Sequence, residues 1–121
     1  MARNALRRLV RLEGTYQELA HDARKQLRAW RMQQSTMAVV VGVADLDRAL
    51  RLFEEGLLSG EQLQEWAEIL EMSDHVEYER DAEEAVASLL FSLSSPEVNE
   101  PITRAVVRRM RASLKDPRAG G

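Results

Sequence analysis

The chain has 121 residues, 45% hydrophobic and 31% charged, with no cysteine and a net charge of −3. That size and balance fit one soluble globular domain with a self-sufficient core and disfavour a disordered chain. The missing cysteines exclude disulfides, thiol nucleophiles and thiolate metal sites, and suit a reducing, cytoplasmic setting.

The charge is unevenly spread. Residues 1–31 carry eight bases against Glu13, Glu18 and Asp22, net +5. Residues 45–100 carry sixteen acids against Arg48, Arg51 and Arg80, net −13, and residues 101–121 return to +5. This basic–acidic–basic order is the most informative functional signal in the composition.

In chain order, the first predicted helix covers residues 2–13 with Leu6, Leu9 and Val10 on one face, and Gly14 interrupts it. Its start, MARNALRRLVRLEG, is basic but lacks the apolar stretch and cleavage site of a secretory signal. Thr15 with Glu18 matches a capping box. Tyr16, Leu19, Ala20, Ala23, Leu27 and Trp30 then recur at three- and four-residue spacing.

The segment STMAVVVGVA suits either a buried strand or a buried helix. A lone strand would leave its backbone groups unsatisfied, so the reading favours a helix from Thr36 through Leu46, Ala49, Leu50 and Phe53 to Leu57, with Gly42 as an irregularity. Its apolar core, MAVVVGVA, is too short to span a bilayer.

Ser59 with Gln62 forms another capping box, followed by Leu63, Trp66, Ala67 and Leu70 on one stripe. A further helix carries Ala82, Val86, Leu89 and Leu93. SSPEVNEP is a loop, since Pro96 and Pro101 do not fit a helix interior. The last helix runs from Thr103 to Lys115 and buries Val106, Val107, Met110 and Leu114, ahead of a flexible tail at 116–121. The expected fold is all-α, a single-domain bundle of five or six short helices over residues 1–115.

Residues 70–84, LEMSDHVEYERDAEE, hold seven acids. Asp81, Glu83 and Glu84 are assigned to capping and to the positive end of the next helix. In HVEYERD, Val76 and Tyr78 alternate with Glu77, Glu79 and Asp81, as in an extended connector with its apolar side inward. Glu71, Asp74, Glu77 and Glu79 are left without a structural duty.

A metal site is not expected. Glu71 and His75 are four apart, but Ser73-Asp74 reads as a helix stop that separates them, and no EF-hand spacing exists. Catalysis is not expected either: His21 and His75 lie far apart in sequence, and no nucleophile elbow, phosphate loop or zinc-protease helix occurs. No cofactor is implied. The terminal RAGG resembles the end of ubiquitin-like modifiers, whose β-grasp fold the helical pattern contradicts.

Two basic stripes remain, Arg24, Arg28 and Arg31 on one helix and Arg104, Arg108, Arg111 and Lys115 on the last. They support an alternative reading as a small nucleic-acid or nucleoprotein subunit. Self-association of basic ends with an acidic middle is a third.

The stretch LRLFEEGLLSGEQLQEWAEILEMSDHVEYERDAEEAVASLLFSLSSPEVNEPIT, roughly residues 50–103, resembles a set of small bacterial all-helical proteins. Within it, LFEEGLLSGEQLQEW is similar to helical bacterial immunity proteins, which neutralise nuclease toxins. The resemblance implies a non-enzymatic module whose acidic surface docks a basic protein partner. Glu71, Asp74, Glu77 and Glu79 would supply charge and Tyr78 an aromatic anchor. Trp66 falls on the apolar stripe and is assigned to the core.

Overall fold

A computed structural model describes residues 4–115; the predicted tail at 116–121 and the first residues of the predicted opening helix lie outside it. Helix α1 (Ala5–Arg11) is capped by Asn4, whose Oδ1 accepts from the Arg7 amide at 2.9 Å. Helix α2 (Tyr16–Met32) follows after Gly14. The expected Thr15–Glu18 capping box does not form: the Thr15 side chain makes no cap bond, and its carbonyl alone takes the Leu19 amide. Helix α4 (Gly60–Met72) starts on the predicted box, with Ser59 Oγ accepting from Gln62 N and Gln62 Oε1 from Ser59 N.

The largest departure from expectation lies at residues 36–42. This stretch is not the front of a helix: Val39–Val41 form strand β1, and helix α3 (Val43–Glu54) begins only after Gly42. The partner strand is β2 (Val76–Tyr78), paired in parallel with Val39 opposite Val76, Val40 opposite Glu77 and Val41 opposite Tyr78. The missing hydrogen bonds are supplied from far along the chain, Val39 N donating to His75 O at 2.8 Å and Glu79 N to Val41 O at 2.9 Å. Three consecutive β-branched valines favour the extended state once such a partner exists. Alternation then sorts the faces: Val39 and Val41 are buried, Val76 and Tyr78 pack against the core, and Val40 and Glu77 face outward.

The ends of α1, α2 and α3 share a chain-reversing motif in which a residue past the end is left-handed and a later amide reaches back to an upstream carbonyl. Glu13 N reaches Arg8 O around Leu12 (φ 51°), Ser35 N reaches Trp30 O around Gln34 (φ 52°), and Leu57 N reaches Leu52 O around Gly56 (φ 79°). Gly56 alone of the three is the residue type that takes this conformation freely. The turn after it exposes Leu57, predicted on the apolar stripe, and buries Leu58 in its place.

After β2 a 3-10 turn (Arg80–Ala82) leads into α5 (Glu83–Ser94). Here too the predicted cap is absent: Ala82 holds the N-cap position and no side chain caps it, so Asp81 has no capping role. Helix α6 (Arg104–Lys115) packs on α3, burying Val107 with Met110 and Leu114 partly covered; Val106, predicted buried, stays half exposed. The described chain is thus predominantly α-helical and folds as one small domain, six helices around a short two-stranded parallel sheet.

At its centre Trp66 is fully buried, and its indole Nε1 donates to the Leu9 carbonyl at 2.9 Å, tying α4 to α1. None of the helices among the described residues is long and apolar enough to cross a membrane.

Candidate functional site

The acidic stretch is built by the change from α4 to β2. Ser73 ends α4 in an extended conformation, and its Oγ accepts from the His75 amide at 3.1 Å. His75 anchors the start of β2: Nδ1 donates to the Met37 carbonyl at 2.8 Å, and the ring meets Trp30 edge-on at 5.1 Å. The chain leaving His75 is therefore fixed at both the end of α2 and the approach to β1.

From this anchor the four predicted acids diverge. Glu71 is half buried against α5 and accepts from Ser94 Oγ at 3.1 Å. Tyr78 adjoins it on the inner side of β2, where burial first and the Glu71 charge second push the phenol above its usual range. Asp74 is exposed and lines a cleft against α2. Glu77 points outward from the sheet, and Glu79 is half buried, its Oε1 3.1 Å from where a Cβ on Gly42 would lie. Glu71, Asp74, Glu77, Tyr78 and Glu79 do not share one surface.

The acids without ion partners concentrate instead along residues 77–84, which keep Glu77 and Glu79 and add three others. Five of the eight residues 77–84 are acids, Glu77, Glu79, Asp81, Glu83 and Glu84, with Arg80 the single base. Among the described residues none of these carboxylates forms an ion pair, whereas acids elsewhere do: Glu65 with Arg24, Asp47 and Glu54 with Arg111, Asp45 with Arg48. Asp81 joins the strip because it is released from capping. The strand alternation that turns Glu77 outward ends with β2 at Tyr78, and Asp81 lies exposed in the 3-10 turn that follows.

The basic stripes are also divided. Arg24, Arg28 and Arg31 line the same cleft as Asp74, a space of about 650 Å³ between α2 and the end of α4. On α6, Arg111 is withdrawn from the stripe: it bridges Asp47 at 3.0 Å and Glu54 at 3.4 Å, and its side chain is 20% exposed. The Asp47 bond, outweighing desolvation, holds its guanidinium above the usual range. Arg109 pairs with Glu100. Arg104, Arg108 and Lys115 remain exposed without ion pairs among the described residues.

Beside the cleft, Tyr16 Oη donates to Glu65 Oε1 at 2.7 Å while Arg24 approaches Oε2 at 3.1 Å. Burial and this bond push the Tyr16 phenol well above its ordinary range. The Tyr16 bond first, and Arg24 after it, hold the Glu65 carboxyl below its ordinary value of 4.5 despite partial burial. A depressed carboxylate stabilises the fold above its unfolded pKa, and that contribution is lost as pH falls through the folded value. Tyr16→Phe should therefore cost about 1 kcal/mol at neutral pH, a modest figure because Glu65 is partly solvated. Urea titrations at several pH values should show the gap to wild type narrowing as pH drops below 4.5.

Among the described residues no three His, Cys, Asp or Glu side chains are grouped so as to hold a metal ion. The chain matches no protein-family model, no curated protein and no solved structure.

Proposed function

We propose that the chain is a non-catalytic protein-interaction module, acting in the cytoplasm, that docks a basic protein partner through the strip from Glu77 to Glu84. The observation that carries this reading is the set of five carboxylates without an ion partner among the described residues, on a segment anchored at both ends. Parallel pairing with β1 holds Glu77 in place, the Glu79 amide is bonded to Val41, and α5 carries Glu83 and Glu84. Charge presented on a fixed backbone attracts a complementary surface with little ordering cost on binding.

A toxin of the nuclease type is the partner that the resemblance to immunity proteins suggests. Its phosphate-binding surface would be basic, and a row of carboxylates can occupy it in place of phosphate. Affinity capture from the native cell extract, with wild type and the variant Glu77→Gln/Glu79→Gln/Asp81→Asn/Glu83→Gln/Glu84→Gln as parallel baits, tests the proposal. A basic protein retained by wild type and lost by the variant is expected. A partner retained equally by both would overturn the assignment of this surface.

The nucleic-acid reading has weaker geometric support, because Arg111 is committed to α3 and the cleft arginines sit beside Asp74. It predicts instead a salt-sensitive gel shift that is abolished by Arg104→Gln/Arg108→Gln.

A further inference from the structure

The cleft between α2 and the end of α4 plays no part in the acidic strip, and its lining is of opposite character. Arg24, Arg28 and Arg31 stand on one wall at helical spacing, covering about 10 Å of axial rise. Arg24 is partly neutralised by Glu65, while Arg28 and Arg31 have no carboxylate partner among the described residues. Leu27, Trp30 and Ile69 contribute apolar surface, and Met72, 81% exposed, contributes from α4.

Three cations in a row match an extended anion better than a compact one, whose charge would call for convergent donors. Carboxylates at three- and four-residue spacing on a docked helix reproduce the same row. The aliphatic lining takes apolar side chains from that helix, and an exposed methionine adapts to their shape. This is the helix-in-groove mode with an acidic rather than a basic guest. A single nucleic-acid strand fits less well. It needs free aromatic faces for stacking, but the Trp30 ring is packed against the core and set edge-on to His75. We infer that this cleft is a second docking site, taking an acidic amphipathic helical segment of a partner protein.

The test uses the intact chain and a labelled synthetic peptide of roughly 16 residues, long enough to form helix on binding, with Leu and Glu at helical spacing. Fluorescence anisotropy should show saturable binding, accompanied by a change in tryptophan emission, since Trp30 lines the cleft while Trp66 is fully buried. Arg28→Gln/Arg31→Gln should weaken binding about tenfold or more at low salt, with circular dichroism unchanged because both side chains are exposed. A peptide of the same composition without an apolar face should bind at least about tenfold more weakly. The acidic-strip variant should bind the helical peptide as wild type does, which keeps failure of the two sites distinguishable. Absence of saturable binding, equal binding of the two peptides, or indifference to the arginine substitutions would each overturn the inference. So would an oligothymidine that binds the cleft more tightly than the peptide.

Discussion

Trp66→Ala should destabilise the domain by about 3–5 kcal/mol, the range for removing a large aromatic side chain from a packed interior. Trp66 is fully buried among side chains of several helices, and its Nε1 bond to Leu9 O joins segments 57 residues apart. Alanine removes the packing and the α4–α1 hydrogen bond, leaving the Leu9 carbonyl with the Leu12 amide at 3.1 Å. Since a domain of this kind is stable by about 5–15 kcal/mol in total, the loss is a large share of the whole. The expected drop in Tm is on the order of 15 °C. Trp66→Phe keeps most of the apolar volume but not the donor, and should fall between alanine and wild type. Calorimetry on the three proteins checks the order; an alanine variant melting within about 5 °C of wild type would show that the indole does not hold α1 to α4.

Neutralising the five acids from Glu77 to Glu84 should slow association with the captured partner by about ten- to a hundredfold at low salt, while dissociation changes much less. The physical basis is long-range attraction, screened over about 8 Å at physiological ionic strength. The wild-type on-rate should therefore fall steeply with added salt, and the variant's should stay nearly flat. Folding should be little affected, because the exposed carboxylates without partners contribute mainly mutual repulsion and the half-buried Glu79 becomes an isosteric amide. The exceptions are Glu83 and Glu84, whose loss from the first turn of α5 costs about 0.3–1 kcal/mol each. Stopped-flow measurements over a salt series separate this effect from simple destabilisation.

The helices were legible because their burial repeats within a few residues: Leu63, Trp66, Ala67 and Leu70 announce α4 locally, and Ser59 with Gln62 announces its start. Strand β1 was not, because its hydrogen-bond partner lies 37 residues away at Val76–Tyr78. A triplet of valines carries no signal for that pairing, and without it a helix is the reasonable choice for an apolar run. Two of the three left-handed helix ends were invisible for another reason: Leu12 and Gln34 adopt a backbone that only glycine or asparagine would have advertised, while at Gly56, where glycine stands, the predicted helix runs on to Leu57 although α3 stops at Glu54.

Charge order along the chain was legible, but charge placement was not. Glu71 and Asp74 belong to the same acidic stretch as Glu77, yet one faces Ser94 on α5 and the other lines the α2 cleft. Arg111 looked like part of a basic stripe until α6 packed on α3 and brought Asp47 and Glu54 to it. Side chains of one periodicity part company wherever the backbone changes from helix to strand, as it does between Met72 and Val76.

Docking of a basic partner on the segment from Glu77 to Glu84 can be followed residue by residue by amide NMR of the isotope-labelled chain during titration with the captured partner. The predicted result is saturable shifts in residues 77–84 and in their strand neighbours around Val40, with α6 unperturbed. Shifts confined to α6 or α1, with residues 77–84 unchanged, would contradict it.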